Sequence, residues 1–201
     1  TPTLDAMMRV ALDGLPDDAA PTQKVQALFD YVRRHVDEPE EATPFSVEAS
    51  WIAERRRGSR PLLLTALCRA ANLACELVLA RPLWEGPEPA LPSLDARDGL
   101  SYALVRWAPL GEPPRWLDPI GRWMPFGTLP PALEGVFALS LGASQRTAGF
   151  TKEPSVLETP PADPSAWGER KVAMTLAFAA DGQGITAEGD EVLDGVFAAS
   201  W

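Results

Sequence analysis

Few side chains in this sequence have the type and spacing that covalent chemistry needs. The candidate nucleophiles are Ser59, in Gly58-Ser59-Arg60, and the two cysteines, Cys68 and Cys75. A serine or a thiol must sit beside a base to become reactive at neutral pH. The sole histidine, His35, falls at the end of a helical pattern, where the helix dipole favours it, and nothing places it near those nucleophiles. Ser59 has the position of a helix N-cap. Cys68 lies about two turns into the same helix, roughly 12 Å from Arg60 by helical rise, among leucines. The two cysteines read as separate buried thiols, since a disulfide between them requires a sharp turn of the chain. Asp118, in Trp116-Leu117-Asp118-Pro119, is a strand-end carboxylate that can orient a base or cap a turn. One histidine and no clustered Cys/His spacing give no expectation of a metal or cofactor.

Binding chemistry has more candidates. Arg55, Arg56 and Arg57 form a basic cluster in an otherwise acidic chain, either a solvated helix end or an anion site together with Arg60. Trp84, Trp107, Trp116 and Trp123 lie among prolines and arginines, a composition that serves recognition of Pro-rich peptides or sugars, or a core. Residues 122–131 (RWMPFGTLPP) are the best candidate for an exposed recognition loop.

These residues must be positioned by a small set of elements. Residues 3–13 read as a short helix with Leu4, Met7, Met8 and Ala11 on one side, ended by Gly14 and Pro16. Thr22 is expected to cap a second helix, in which Val25, Leu28, Phe29, Val32 and Val36 recur at helical spacing. After an acidic loop from Asp37 to Thr43, a third helix should run from Ser46 to Arg57 and stop at Gly58. A fourth, buried helix starts at the Ser59 cap with Pro61 in its first turn and ends at Asn72. Residues 73–80, 101–107 and 114–118 read as strands, and residues 136–141 are again apolar. Residues 143–168 are rich in proline and poor in core residues, the composition of a linker. Residues 171–180 and 184–188 alternate around Asp181-Gly182, a hairpin signal; the tail from 191 to 201 is open between helix and strand. A start at Thr1 and a pattern that continues to Trp201 read as a processed chain or a piece of a longer one.

The totals narrow the function classes. The chain has 201 residues, a net charge of −10 and a pI of about 4.6. An acidic surface repels phosphate backbones, so nucleic acid is not an expected partner. No apolar run approaches the ~18 residues that span a bilayer, and the opening residues do not read as a signal peptide.

Two helices, a buried helix and then antiparallel strands, with Gly58-Ser59-Arg60, Tyr102 and Trp116-Leu117-Asp118-Pro119 at fixed places, resemble the transglutaminase-like superfamily. The likeness is to the bacterial multi-domain type and covers roughly residues 22–141. It implies an α+β papain-like core, with N-terminal helices packed on an antiparallel sheet, over residues 1–142. A linker over 143–168 and a small β-hairpin region over 169–201, the start of a following β-domain, complete the organisation. In that family a cysteine opens the buried helix, where the positive helix end lowers its pKa, and a histidine and an aspartate follow on the next strands. The resemblance places Arg60 at the cysteine position, Tyr102 at the histidine position and Asp118 at the aspartate position. Arginine is held protonated and cannot attack.

The expectation is therefore a catalytically inactive transglutaminase-like domain. It would act as a scaffold or protein-interaction module with a protein partner, in a larger bacterial protein of the periplasm or cell envelope. The competing readings are an atypical peptidase or acyl transferase, and an anion- or glycan-binding domain using Arg60 and the tryptophans. A cation in the first helical turn opposes the dipole, so Arg60 is expected to pair with the Asp118 carboxylate, with the Tyr102 hydroxyl beside it, as a structural lock.

Overall fold

The computed structural model describes residues 2–39, 47–83, 100–121, 124–141, 144–145, 150–151, 155–161, 170–178 and 184–193. Trp84, Trp123, the helix start at Ser46, the Asp181-Gly182 turn and the tail beyond residue 193 lie outside them. The described part is α+β: helices α1 (Pro2–Ala11), α2 (Pro21–His35), α3 (Ala49–Arg55) and α4 (Arg60–Ala70) precede the strands.

In α2, Val25, Leu28, Phe29 and Val32 are all fully buried, the stripe that their spacing dictates. Pro21 occupies its first turn, where a missing N–H costs nothing. The cap differs from expectation: Gln23 Oε1 accepts the Ala20 N–H at 3.0 Å, so Thr22 lies inside the helix. α3 is shorter than its pattern, because Arg56 turns left-handed at φ 52°. In α4, Ser59 is the N-cap and its Oγ accepts the Leu62 N–H at 3.4 Å. Asn72 takes φ 58° and Leu73 N donates to Cys68 O at 2.8 Å, which stops the helix and reverses the chain into the sheet.

The main sheet has the order β3-β2-β1-β4-β7 and every pair is antiparallel. Its strands are β1 (Cys75–Ala80), β2 (Tyr102–Trp107), β3 (Arg115–Leu117), β4 (Phe137–Ser140) and β7 (Ser155–Glu158); β5 (Ser144–Gln145) and β6 (Phe150–Thr151) pair with each other. Period-2 alternation splits the sheet between two cores. Cys75, Val105, Trp107 and Leu117 join the four-helix side. Val78, Ala80, Leu104, Trp116 and Ala138 join a second cluster with Leu129, Leu133 and Val136.

The proposed division at residues 142 and 168 is corrected. β7 lies inside the expected linker and is an edge strand of the main sheet, in register with β4 from Phe137↔Glu158 to Ser140↔Ser155. Thr159 continues the attachment, its Oγ1 accepting the Val136 N–H at 2.8 Å. Prolines are tolerated beside an edge strand, so a Pro-rich segment was compatible with sheet. The chain separates into Thr1–Ala162 and Asp163–Trp201. The second unit holds the hairpin of β8 (Arg170–Phe178) and β9 (Ile185–Leu193), paired over all nine positions from Arg170↔Leu193 to Phe178↔Ile185. Among the described residues, no helix is long and apolar enough to cross a membrane.

Candidate functional site

The site forms where three chain segments meet at the N-terminus of α4. The segment after α2 runs beside the one before α4: Asp37 N donates to Arg56 O and Gly58 N to Asp37 O, both at 2.8 Å. Arg56 at φ 52° and Gly58 at φ 134° make this pairing geometrically available. A Cβ on Gly58 would lie 2.9 Å from Ile52 Cγ1, so both the conformation and the space require glycine. This pairing delivers Glu38 to the first turn of α4, where its Oε2 accepts the Arg60 backbone N–H at 3.1 Å. An anion there complements the helix dipole.

The third segment follows β3. Asp118 is 1% exposed and receives three donors. The Tyr102 hydroxyl lies 3.2 Å from Oδ1 and 3.1 Å from Oδ2. Ile120 N and Gly121 N donate to Oδ1 at 3.0 and 3.3 Å. Burial raises the Asp118 pKa, and the Gly121, Ile120 and Tyr102 donors and the Arg33 charge oppose that rise. Burial, then the Asp118 charge and hydrogen bond, push the Tyr102 phenol far up. Tyr102 is therefore a fixed donor at neutral pH, not a base.

Arg60 reaches the same loop but not the carboxylate. Its Nε donates to Val36 O at 2.8 Å, and one terminal nitrogen donates to Ile120 O at 3.1 Å and to Pro119 O at 3.4 Å. The expected Arg60–Asp118 ion pair is absent from the ion pairs among the described residues. The physical reason is that backbone groups outcompete it: Ile120 N and Gly121 N satisfy Asp118 from its own loop, and the planar fork of Arg60 fits three carbonyls. The carboxyl group that meets Arg60 at the helix end is that of Glu38.

Sequence reasoning missed two members. Burial raises Glu38 from an ordinary 4.5 to about 7, against the lowering effect of the Arg60 N–H and charge. Arg33 donates to Met124 O and stacks over Phe29 with Cζ 4.9 Å from the ring centroid; burial lowers its pKa. Each belonged to a charged stretch that looked solvated, and only the return of a distant segment distinguishes it.

The other candidates do not converge here. Arg55, Arg56 and Arg57 are exposed; Arg57 Nε approaches Asp37 Oδ2 at 3.8 Å with both side chains mostly in water, a geometry worth little. Trp116 is 6% exposed and part of the second core; it also borders a cavity of about 620 Å³ with Arg106, Pro114, Leu157 and Pro161. The expected recognition loop is largely anchored: Met124 and Leu129 are buried, and Phe126 meets Phe29 edge-to-face at 5.5 Å. His35 stacks on Tyr31 at 4.3 Å, with Nδ1 3.0 Å from Tyr31 O. Cys68 and Cys75 are free and buried, as two separate thiols; the neighbouring Cys75 side chain, then burial, raises the Cys68 pKa.

No family model, curated protein or solved structure matches this chain. Its chemistry rests on the geometry just described. Arg60, Tyr102, Asp118, Glu38 and Arg33 form a network of donors and acceptors joining α2, α4, β2 and the loop after β3. What that network does is hold chain segments in register.

Proposed function

We propose that this chain is a catalytically inactive transglutaminase-like domain that acts as a scaffold or protein-interaction module within a larger bacterial envelope protein. The observation that carries the reading is the hydrogen bonding of Arg60. The residue at the expected nucleophile position donates to Val36, Pro119 and Ile120 carbonyls, and the residue at the expected base position is a phenol committed to Asp118. Neither can take a proton from an attacking group. Both thiols are buried in the core, away from the Arg60 end of α4.

The interaction part of the reading has its own support. Val172, Met174, Leu176 and Ile185 are each more than half exposed and, by the β8–β9 register, share one face of the hairpin. An isolated two-stranded hairpin gains little stability alone, so an apolar face of this kind belongs against another surface.

The test is to expose the native chain to a thiol-reactive probe and, separately, to a primary amine with a glutamine-containing peptide. We expect no fast-reacting thiol and no amine incorporation. A rapidly labelled cysteine whose modification abolishes turnover would sink the reading in favour of an atypical acyl transferase or peptidase.

A further inference from the structure

We propose that the cavity between the two edges of the main sheet is a binding site for a small carboxylate with a flat apolar body, and that Arg106 receives its carboxylate. The argument starts with the shape of the sheet. β3 and β7 are its opposite edges, yet Trp116 of β3 and Leu157 of β7 border the same cavity of about 620 Å³ and pack into the same core cluster. The sheet therefore curls until its edges face each other. The volume falls within the ~300–1,000 Å³ usual for small-ligand sites. The described lining residues all belong to Thr1–Ala162, so the cavity is a feature of one compact unit.

Arg106 lies directly opposite Trp116 across β2 and β3, so the guanidinium and the indole share a face. Its Nη1 donates to Glu76 Oε2 at 3.2 Å, and the Ser140 hydroxyl donates to the same oxygen at 2.8 Å. Glu76 and Ser140 are both buried, so they hold the guanidinium from its inner side. Among the described residues, the bond to Glu76 is the one hydrogen bond that Arg106 makes. A guanidinium carries five N–H donors in a rigid fork. Nε and the second terminal nitrogen are thus left for an acceptor with two oxygens, and the Arg106 side chain is 16% exposed, open to such a group from the cavity. The rest of the wall is apolar. Trp116 and Leu157 form its floor, and Pro114, Pro160 and Pro161, all exposed, border its mouth. Proline has no N–H to donate, so these rings accept an apolar body and offer no rival donor for the carboxylate. Thr159 is committed elsewhere, its Oγ1 meeting both Val136 N and Val136 O. Glu158 pairs with Phe137 and by strand alternation projects to the face opposite Leu157, away from Arg106. An aromatic ring on a short chain that ends in a carboxylate matches this division. The site is separate from the Arg60 network: Arg106 is four residues along β2 from Tyr102, about 13 Å at strand rise.

The experiment titrates the full chain with indoleacetate and phenylacetate by isothermal calorimetry at neutral pH, with indoleacetamide as the uncharged control. The expected result is one site per chain, with indoleacetate bound at least about tenfold more tightly than its amide, as a charge-assisted two-pronged contact implies. Arg106→Lys keeps a charge beside Glu76 but loses the fork. It should weaken the acid to near the value for the amide while the chain still melts cooperatively. Pro114→Trp fills the mouth from an exposed position and should abolish binding without touching the ion pair, so the proposal is testable even where Arg106→Lys fails to fold. No heat from either acid at millimolar concentration would overturn the proposal. So would equal affinity for acid and amide, or acid binding that both variants leave unchanged, since the carboxylate would then sit elsewhere. None of these outcomes bears on the Arg60 hydrogen bonds, on which the reading of function rests.

Discussion

At the residue scale, Asp118 holds the network together, because it accepts from Tyr102, Ile120 and Gly121 in a nearly dry place. Asp118→Ala would leave three donors without an acceptor. We expect a loss of about 3 kcal/mol, read as a lower urea midpoint with an unchanged slope. Asp118→Asn keeps one acceptor oxygen and should lose less. Equal midpoints for wild type and Asp118→Ala would remove the case for a structural lock. Gly121 adds a steric check, since a Cβ there would sit 3.0 Å from Asp118 Oδ2.

Glu38 gives the network a pH dependence whose sign can be worked out. Its folded pKa rises from 4.5 to about 7, so between those values the folded chain binds more protons than the unfolded one. Stability contributed by this group must then fall as pH rises from about 4.5 to 7, and level off above. Asp118, also raised, acts in the same direction. Glu38→Gln keeps an acceptor for the Arg60 N–H and removes the titration. Its melting temperature should depend less on pH across that window and exceed the wild-type value at pH 7.5. A pair of parallel melting curves would show that Glu38 is not held protonated by its surroundings.

At the scale of elements, the joint between α3 and α4 carries the most constraint. Gly58→Ala introduces a side chain at φ 134° against Ile52. We expect about 1–3 kcal/mol of destabilisation, against about 1 kcal/mol for Ser59→Ala at the neighbouring cap. If Gly58→Ala proves the milder of the two in denaturant unfolding, the pairing of Asp37 with the 56–58 segment is not rigid. These elements were largely legible in advance. The stripe of α2, the Ser59 cap, the Asn72 stop and the three strands on the path to Asp118 follow from local spacing and turn chemistry. The shortfalls have physical causes. α3 ended early because Arg56 adopts a left-handed turn that arginine's type does not announce. β7 was hidden because its four residues carry little apolar pattern, and only its pairing with β4 and the packing of Leu157 attach it. Glu76 also escaped notice: it is 6% exposed and held by Arg106 at 3.2 Å and the Ser140 hydroxyl at 2.8 Å, and only the registers of three strands bring those residues together.

At the scale of the whole molecule, the two units differ in how they are stabilised. Thr1–Ala162 contains both buried clusters, while the described part of Asp163–Trp201 is a two-stranded ribbon with exposed apolar side chains. A chain ending at Ala162 should therefore fold cooperatively, with a melting temperature within a few degrees of the full chain, and residues 163–201 alone should give no cooperative transition. A broad, non-cooperative melt of the shorter chain would mean that the boundary is misplaced. The sequence pattern separated a large unit from a small hairpin but set the boundary too early, because proline content was read as a linker where it borders a sheet edge.

The grip of Arg60 on three carbonyls makes evolutionary change at this position lopsided. A mutation that puts a small residue there abandons Val36, Pro119 and Ile120 at once, so natural selection would meet a broken fold before it met any new chemistry. Drift away from arginine needs a compensating change in the loop after β3 to arise first. The tolerance of the position is epistatic: it depends on what the loop after β3 presents to whatever side chain replaces the arginine.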